Sequence, residues 1–508
     1  MPVRLLRISD IYKVFLVFSV IVFTAGCLGG GGSKTPDTTR PSVSSFSPSS
    51  GQGNIAVNDP VSITFNERVN ADSFSLTSER GTTISSTFSG NGSNTLTLSF
   101  SRILNYGTVY TATVMNIRDL SGNSYGNYSW SFTTTQGAPV TYHETPDSHL
   151  YDVGRYNSIA LFNGKSYMSY YNASLRSLYL IATYDGVIWE GPYRVDGPVG
   201  NEKVGEYCSL VIDGEGNLHI SYYYEGVGLK YASANVSNIA GTLGATVVDN
   251  GSGAVVGKYT GIALDRNNRI HISYYDETNT ALKYANNLNG PWQNFVYDTG
   301  NAGEDTGLYT SIKVADDGTV HISYYAWWIL NGVLNGNLKY INTRDWQVST
   351  LDSTGNIGEF SSLALDVSGN VYVAYNHISA VDGLRRIRCI TNASGVWRHV
   401  NVVTVGGNPL VNITSNPVFV DPNGVVHISY YSDEIRSGKT VGILYYISGV
   451  LYDPGFNLWD WSVSKVIDDS GIGDDIRKGI YTSIVTDSNG KSRIAYYDAS
   501  EGDLKFAQ

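Results

Sequence analysis

From residue 139 to the end of the chain, apolar and polar residues alternate in short runs cut by Gly, Asn and Asp. Runs of about four to eight residues with period-two alternation read as strands joined by tight turns. The unit Tyr259–Asp298 shows the pattern most plainly. Tyr259-Thr-Gly-Ile-Ala-Leu-Asp265 is followed by Ile270-His-Ile-Ser-Tyr-Tyr-Asp276, then Ala281-Leu-Lys-Tyr-Ala285, then Trp292-Gln-Asn-Phe-Val-Tyr-Asp298. Alternation sets Ile270, Ile272 and Tyr274 on one face of the second strand and His271, Ser273 and Tyr275 on the other. Neither face is charged, so both are expected to be covered.

The same unit recurs. His-Ile-Ser-Tyr-Tyr stands at His219–Tyr223, His271–Tyr275, His321–Tyr325 and His427–Tyr431, with degenerate copies at Tyr167–Tyr171, Tyr372–Asn376 and Arg493–Tyr497. Steps between copies are 52, 52, 50, 51, 55 and 66 residues, a period that marks a repeat architecture. Seven units of four short strands predict an all-β, seven-bladed β-propeller over 139–508. The last unit ends after three strands, and a strand-like run, Val140–Glu144, precedes the first. That run is expected to complete the last blade and close the ring, leaving no exposed sheet edge.

Residues 40–135 carry a different pattern. Pro41 and Pro48 open it, Val61-Ser-Ile-Thr-Phe-Asn-Glu67 and Gly107-Thr-Val-Tyr-Thr-Ala-Thr-Val114 alternate as strands, and Asp119-Leu-Ser-Gly-Asn123 and Trp130-Ser-Phe-Thr-Thr134 close it. Alternating strands in a segment of this length suit a β-sandwich. These motifs resemble the bacterial Ig-like domain of cell-envelope proteins, which implies a spacer or adhesive stalk. The repeat array resembles the broad class of extracellular propellers that includes sialidase-like proteins.

The front of the chain has Arg4, Arg7 and Lys13, an apolar core Val14–Phe23, and Thr24-Ala-Gly-Cys27. The apolar run is shorter than the about 20 residues a membrane-spanning helix needs. Small residues before a cysteine resemble the bacterial lipobox, which implies lipidation of Cys27 and removal of 1–27. Residues 28–39, with Gly29–Gly32, read as a flexible linker. The implied location is the cell envelope, on the outer membrane or cell surface, with membrane attachment through the lipid.

Composition narrows the partners. A net charge of −11 and a pI of about 5.2 argue against nucleic acid. Cys208 and Cys389 fall in different units and read as buried free thiols. No metal motif and no cofactor signature is present, and a monomer is expected. The histidines His219, His271, His321 and His427 read as inter-blade hydrogen-bonding residues, and the repeated Asp-x-x-Gly turns as turn chemistry. Tyr207, Tyr259, Tyr309 and Tyr481, with Phe360 as a variant, sit in Gly-x-Tyr phrases that place aromatics near the channel mouth. The units diverge at Ala326–Gly336 of the fourth, where Trp327 and Trp328 occupy a Gly/Asn-rich insertion taken as a loop unique to that blade. These two tryptophans and the four tyrosines are the candidate ligand-binding residues. Gly449–Trp461 of the sixth unit is expected at the opposite end, with one of Trp459 and Trp461 in the core. No catalytic residue is singled out. The function expected is non-catalytic binding of a glycan or an envelope protein; the alternative is a glycan-degrading enzyme, a polysaccharide lyase or glycoside hydrolase.

Overall fold

The structure is a computed structural model. It describes residues 36–100, 103–137, 142–145, 151–353, 355–405, 413–414, 417–436, 439–469 and 477–508, with the side chains of 142–144, 405, 413–414 and 436 outside that description. Cys27 and the rest of the export-like segment lie outside the described residues, as do Val140 and Thr141.

Seven strands from Val43–Ser47 to Ser124–Thr133 form the front module. In Val61–Asn70, Val61, Ile63 and Phe65 point inward while Ser62 and Thr64 do not. Trp130 fills the core against Phe46, Phe74 and Tyr128, and its indole N–H donates to the Pro48 carbonyl at 2.9 Å. The Asp119 turn is fixed by its carboxylate, which accepts from the Ser121 and Asn123 amides.

Behind it stand seven antiparallel sheets, each a blade. The first comprises Val153–Phe162, Lys165–Asn172, Ser177–Thr183 and Trp189–Asp196; the third comprises Val256–Leu264, Ile270–Asp276, Ala281–Asn286 and Gln293–Asp298. The seventh comprises Lys478–Thr486, Ser492–Asp498 and Asp503–Ala507, and its fourth strand is Tyr142–Glu144. Glu144, His143 and Tyr142 pair with Lys505, Phe506 and Ala507, so the ring is closed by an N-terminal strand.

The repeated residues lock blade to blade. The aspartate ending a blade's fourth strand accepts from the first Tyr of the next blade's Tyr-Tyr pair, and a cation from the next third strand joins it. Asp249 takes Tyr274 Oη at 2.7 Å and Lys283 Nζ at 2.5 Å. Asp196 meets Tyr222 and Lys230, Asp298 meets Tyr324 and Lys339, and Asp352 meets Tyr375 and Arg388. Burial alone would raise the Asp249 carboxyl, but Lys283, Tyr274 and the Gly251 amide outweigh it and lower the pKa. The repeated histidines serve the scaffold mainly within their own blades, not between blades as the sequence pattern suggests; among the described residues only His427 also reaches the next blade, with Ser492 at 3.2 Å. Their Nδ1 atoms lie 2.5–2.7 Å from the hydroxyls of Tyr231, Tyr284, Tyr340 and Tyr446. Burial lowers the pKa of His219 and His271, and takes His321 to about 4.

The insertion of blade six lies where the Ig-like module docks. Its third strand runs on through Lys439–Asp453 and Leu458–Trp461 returns along it. Both Trp459 and Trp461 are buried, their rings stacked 4.9 Å apart, where the sequence pattern had assigned one to the core. Val425, Val450 and Tyr452 of this blade belong to the same apolar cluster as the Ig-like core. Asn105 Nδ2 donates to the carbonyls of Ser448 and Asp460, and Tyr110 Oη donates to Asp460 Oδ2 at 2.7 Å. The module is thus packed on the propeller through buried contacts, where a spacer implied independence.

Candidate functional site

The tyrosine end of the propeller is built by one local device. In the inner strand of blade three, Gly257 and Tyr259 both have positive φ, 101° and 50°. A Cβ on Gly257 would lie 2.8 Å from the Leu229 backbone of blade two, so only glycine fits there. The chain then bulges, and the register with the second strand slips between Lys258 and Gly261. The bulge turns the Tyr259 ring to the channel. Thr310 of blade four donates to the Tyr259 carbonyl at 2.7 Å and holds the bend.

Repetition makes a ring of rings. Tyr481, Tyr156, Tyr207, Tyr259, Tyr309 and Phe360 follow each other at centroid spacings of 4.5–4.6 Å. They line a cup of about 240 Å³ at the channel mouth. Each tyrosine hydroxyl is close enough to influence the next in the series, which stops at Phe360. Burial raises the pKa of each of Tyr156, Tyr207, Tyr259 and Tyr309, so these phenols stay protonated. The sequence-predicted Tyr207, Tyr259, Tyr309 and Tyr481 are therefore brought together. Tyr156 had been missed, although Gly154-Arg-Tyr156 carries the Gly-x-Tyr signal.

A second set of phenols stands behind the first. Tyr171, Tyr275, Tyr325 and Tyr497, each the second Tyr of its pair, lie 6.1–6.4 Å from Tyr156, Tyr259, Tyr309 and Tyr481. Carboxylates fall between them. Tyr223 is pushed up to about 12 by burial, then by the fields of Glu225, Glu277 and Glu206. Tyr275 donates to Asp305 at 2.8 Å and feels Glu277; Tyr325 donates to Asn356 at 2.6 Å and feels Glu359 and Asp305. Around blades two to five this makes an arc in which acids and phenols alternate: Glu206, Tyr223, Glu277, Tyr275, Asp305, Tyr325, Glu359. Glu206 and Glu359 occupy the position just before the ring aromatic, which is Arg155 in blade one, Lys258 in blade three and Leu308 in blade four.

Asp305 is part-buried. Burial raises its pKa, the Tyr275 bond opposes that, and Glu277 adds to it. Arg155, Lys258 and Glu206 each have an ion-pair partner: Asp152 at 2.6 Å, Glu277 at 2.7 Å and Lys203 at 3.2 Å.

Trp327 and Trp328 are not in a loop. They continue the second strand, Val320–Leu330, which pairs with Val333–Asn342 as far as Leu330 and Val333. Nor is the extension unique. Blades five and six also carry long second hairpins, Val371–Ser379 with Arg385–Thr391 and Val425–Arg436 with Lys439–Asp453. In strand geometry Trp327 and Trp328 take opposite faces. Trp327 pairs with Asp305 in the strand register and its side chain acts on that carboxyl, lowering its pKa, while Trp328 faces a cleft with Asn301 and Glu304.

Residues 37–134 match the family model of the bacterial Ig-like domain, and this segment is one. No curated protein matches the chain. Among solved structures, an ulvan lyase of polysaccharide lyase family 25, bound to a sugar in its crystal, is 15% identical with a TM-score of 0.45, over 68% of this chain and 90% of that one. An α-L-arabinanase of Penicillium chrysogenum is 13% identical with a TM-score of 0.41, over 65% and 98%. The NanB sialidase of Streptococcus pneumoniae is 10% identical with a TM-score of 0.36, over 93% and 94%. The likeness is one of architecture, and what those proteins act on is theirs.

Proposed function

We propose that the tyrosine end of the propeller binds a polysaccharide and cleaves it. One observation carries this reading: the alternating arc from Glu206 to Glu359, whose acids come from positions the repeat leaves free. Scaffold residues recur in most blades, whereas these acids recur in a minority: Asp305 has counterparts in Asp152 and Asn356, Glu277 in Glu225 and Asp433, and Glu206 in Glu359. A unique cluster of titratable groups beside an aromatic cup is what an active site requires. Hydrolysis suits the groups better than elimination. A carboxyl with a raised pKa, Asp305, serves as proton donor, and a second carboxylate such as Glu206 or Glu359 serves as base or nucleophile. Elimination by a phenolate base is disfavoured by the raised phenol pKa values, and Arg155 and Lys258 are already engaged by carboxylates.

Incubation of the full chain with neutral and acidic polysaccharides tests this, reading new reducing ends, the ultraviolet absorbance of unsaturated uronates, and binding by affinity electrophoresis. New reducing ends without unsaturation are expected. Asp305→Asn should lower the rate roughly 100-fold or more while leaving binding in place. Neither binding nor products would overturn the reading. A second reading, binding without catalysis, is favoured by the existing ion pairs of Arg155, Lys258 and Glu206, and binding without products would establish it.

The location is proposed on the same footing. Thr24-Ala-Gly-Cys27 supports a lipid anchor at Cys27 that displays the propeller at the cell envelope. Cys27→Ser should move the protein out of the membrane fraction, and mass spectrometry showing an unmodified Cys27 in the mature protein would overturn this.

A further inference from the structure

Blade four holds a second recess at the tyrosine end, apart from the central cup. Trp328 forms one wall, and the link Asn301–Glu304 forms the other. Asn337 also lines it. The recess measures about 290 Å³, at the lower edge of the ~300–1,000 Å³ typical of small-ligand sites. That suits one sugar ring better than a chain.

Its walls are held firmly. Glu304 is buried; one of its oxygens binds Lys339 Nζ at 2.9 Å, and the other accepts from the amide and the Nδ2 of Asn301 at 2.9 and 3.0 Å. The link is therefore tied to the third strand before any ligand arrives, which spares the cost of ordering it. Trp328 is fixed by ten consecutive residue pairs of the hairpin from His321 to Leu330. Asn337 Oδ1, by contrast, is buried with no hydrogen-bond partner among the described residues. A buried acceptor left unmet is costly, and it points to a donor the protein does not itself supply.

We infer that this recess is a subsite for one uncharged pyranose unit, stacked by its C–H face on Trp328 and donating a hydroxyl to Asn337 Oδ1. An aromatic face plus a fixed amide acceptor is the chemistry that recognises a sugar, apolar on its face and hydroxylated at its edge. Glu304 sets the charge preference: its carboxylate engages Lys339, and among the described lining residues no cation is left for a uronate. The inference rests on the reading that this end of the propeller handles a glycan, and adds where an outlying sugar of that glycan is held. It also divides the two tryptophans, Trp327 supporting Asp305 at the arc and Trp328 contacting sugar.

The test uses the full chain with methyl pyranosides of glucose, galactose, mannose and xylose, and methyl glucuronide as the charged comparator. Saturation-transfer NMR and tryptophan fluorescence read the binding. At least one neutral pyranoside should bind, with Trp328→Ala and Asn337→Leu each weakening it at least about tenfold, which corresponds to about 1.4 kcal/mol. Should Trp328→Ala fail to fold, Asn337→Leu at an unchanged melting temperature carries the test. Absence of pyranoside binding, binding indifferent to both substitutions, or glucuronide binding as tight as any neutral sugar would each overturn the subsite. Polysaccharide cleavage by the same samples is scored separately, so loss of the subsite and loss of the proposed activity are told apart.

Discussion

Two buried Tyr–Asp hydrogen bonds, one between blades and one between domains, look alike and behave oppositely. Between blades two and three, Asp249 accepts from Tyr274 and is also met by Lys283. Between the Ig-like module and blade six, Asp460 accepts from Tyr110 at the same 2.7 Å, but among the described residues no cation forms an ion pair with it and its Oδ1 has no partner at hydrogen-bond distance, so Arg80, Ser78 and Thr82 offset burial only in part. The first carboxyl is lowered because its cation and hydrogen bonds outweigh burial; the second is raised because burial wins. A repeated position has been supplied with its counter-charge in blade after blade. The domain contact is a single event with no such complement.

The largest effect is expected at the latch. Asp249→Ala leaves the Lys283 ammonium and the Tyr274 hydroxyl buried without their acceptor, and breaking a buried pair in this way costs about 3–5 kcal/mol. Urea unfolding of the full chain checks it. The folded-state pKa of Asp249 is depressed, so its contribution is present above the ordinary carboxylate value of about 3.9 and is lost as pH falls through the folded value. Asp249→Asn should therefore be less stable than the parent at neutral pH and lose less on acidification.

At the domain contact the sign reverses. Tyr110→Phe removes the donor that meets Asp460 at 2.7 Å, leaving Ser78 and Thr82 nearby, and should cost about 1–3 kcal/mol. Because the folded-state pKa of Asp460 is raised, its favourable contribution is complete below about 3.9 and is lost as pH rises through the folded value. Asp460→Asn should flatten that decline. A decline as steep in Asp460→Asn as in the parent would show that burial does not govern this carboxyl.

The same contrast explains what could be read from the chain. Blade number and ring closure were legible because each strand's alternation is local and recurs about every 52 residues. Tyr259 and its equivalents were legible because Gly-x-Tyr repeats, and Gly154-Arg-Tyr156 carries the same phrase, so Tyr156 was legible too. The arc was not legible. Arg155, Glu206, Lys258 and Glu359 share a position whose identity varies, and variation leaves no repeat signal. Docking of the Ig-like module was equally hidden, since Asn105 and Ser448 are 343 residues apart and neither belongs to a motif. Trp327 and Trp328 drew notice as an insertion, but only register shows that they face opposite ways.

Within the arc, Glu206→Gln tests function apart from fold. Lys203, its partner, is half exposed, so loss of the pair should change stability by less than about 1 kcal/mol. Cleavage should nevertheless fall roughly 100-fold or more if Glu206 is the base or nucleophile. An equal fall in Glu359→Gln with none in Glu206→Gln would move that role across the arc to blade five.

The smallest effect is the most specific. Glu277 raises the pKa of Asp305 and is itself paired with Lys258. Replacing Glu277 by Gln removes a negative field and leaves the Lys258 ammonium without its partner, and both changes lower the Asp305 pKa. If protonated Asp305 is the proton donor, cleavage declines as pH rises through that pKa. Glu277→Gln should then shift the alkaline limb of the pH–rate profile to lower pH by a fraction of a unit, with the maximal rate and the melting temperature little changed. Glu277 is about half exposed, so screening keeps the shift small, and low ionic strength should enlarge it. A purely structural Asp305 would leave the limb where it is, and a shift to higher pH would assign the limb to a group other than Asp305.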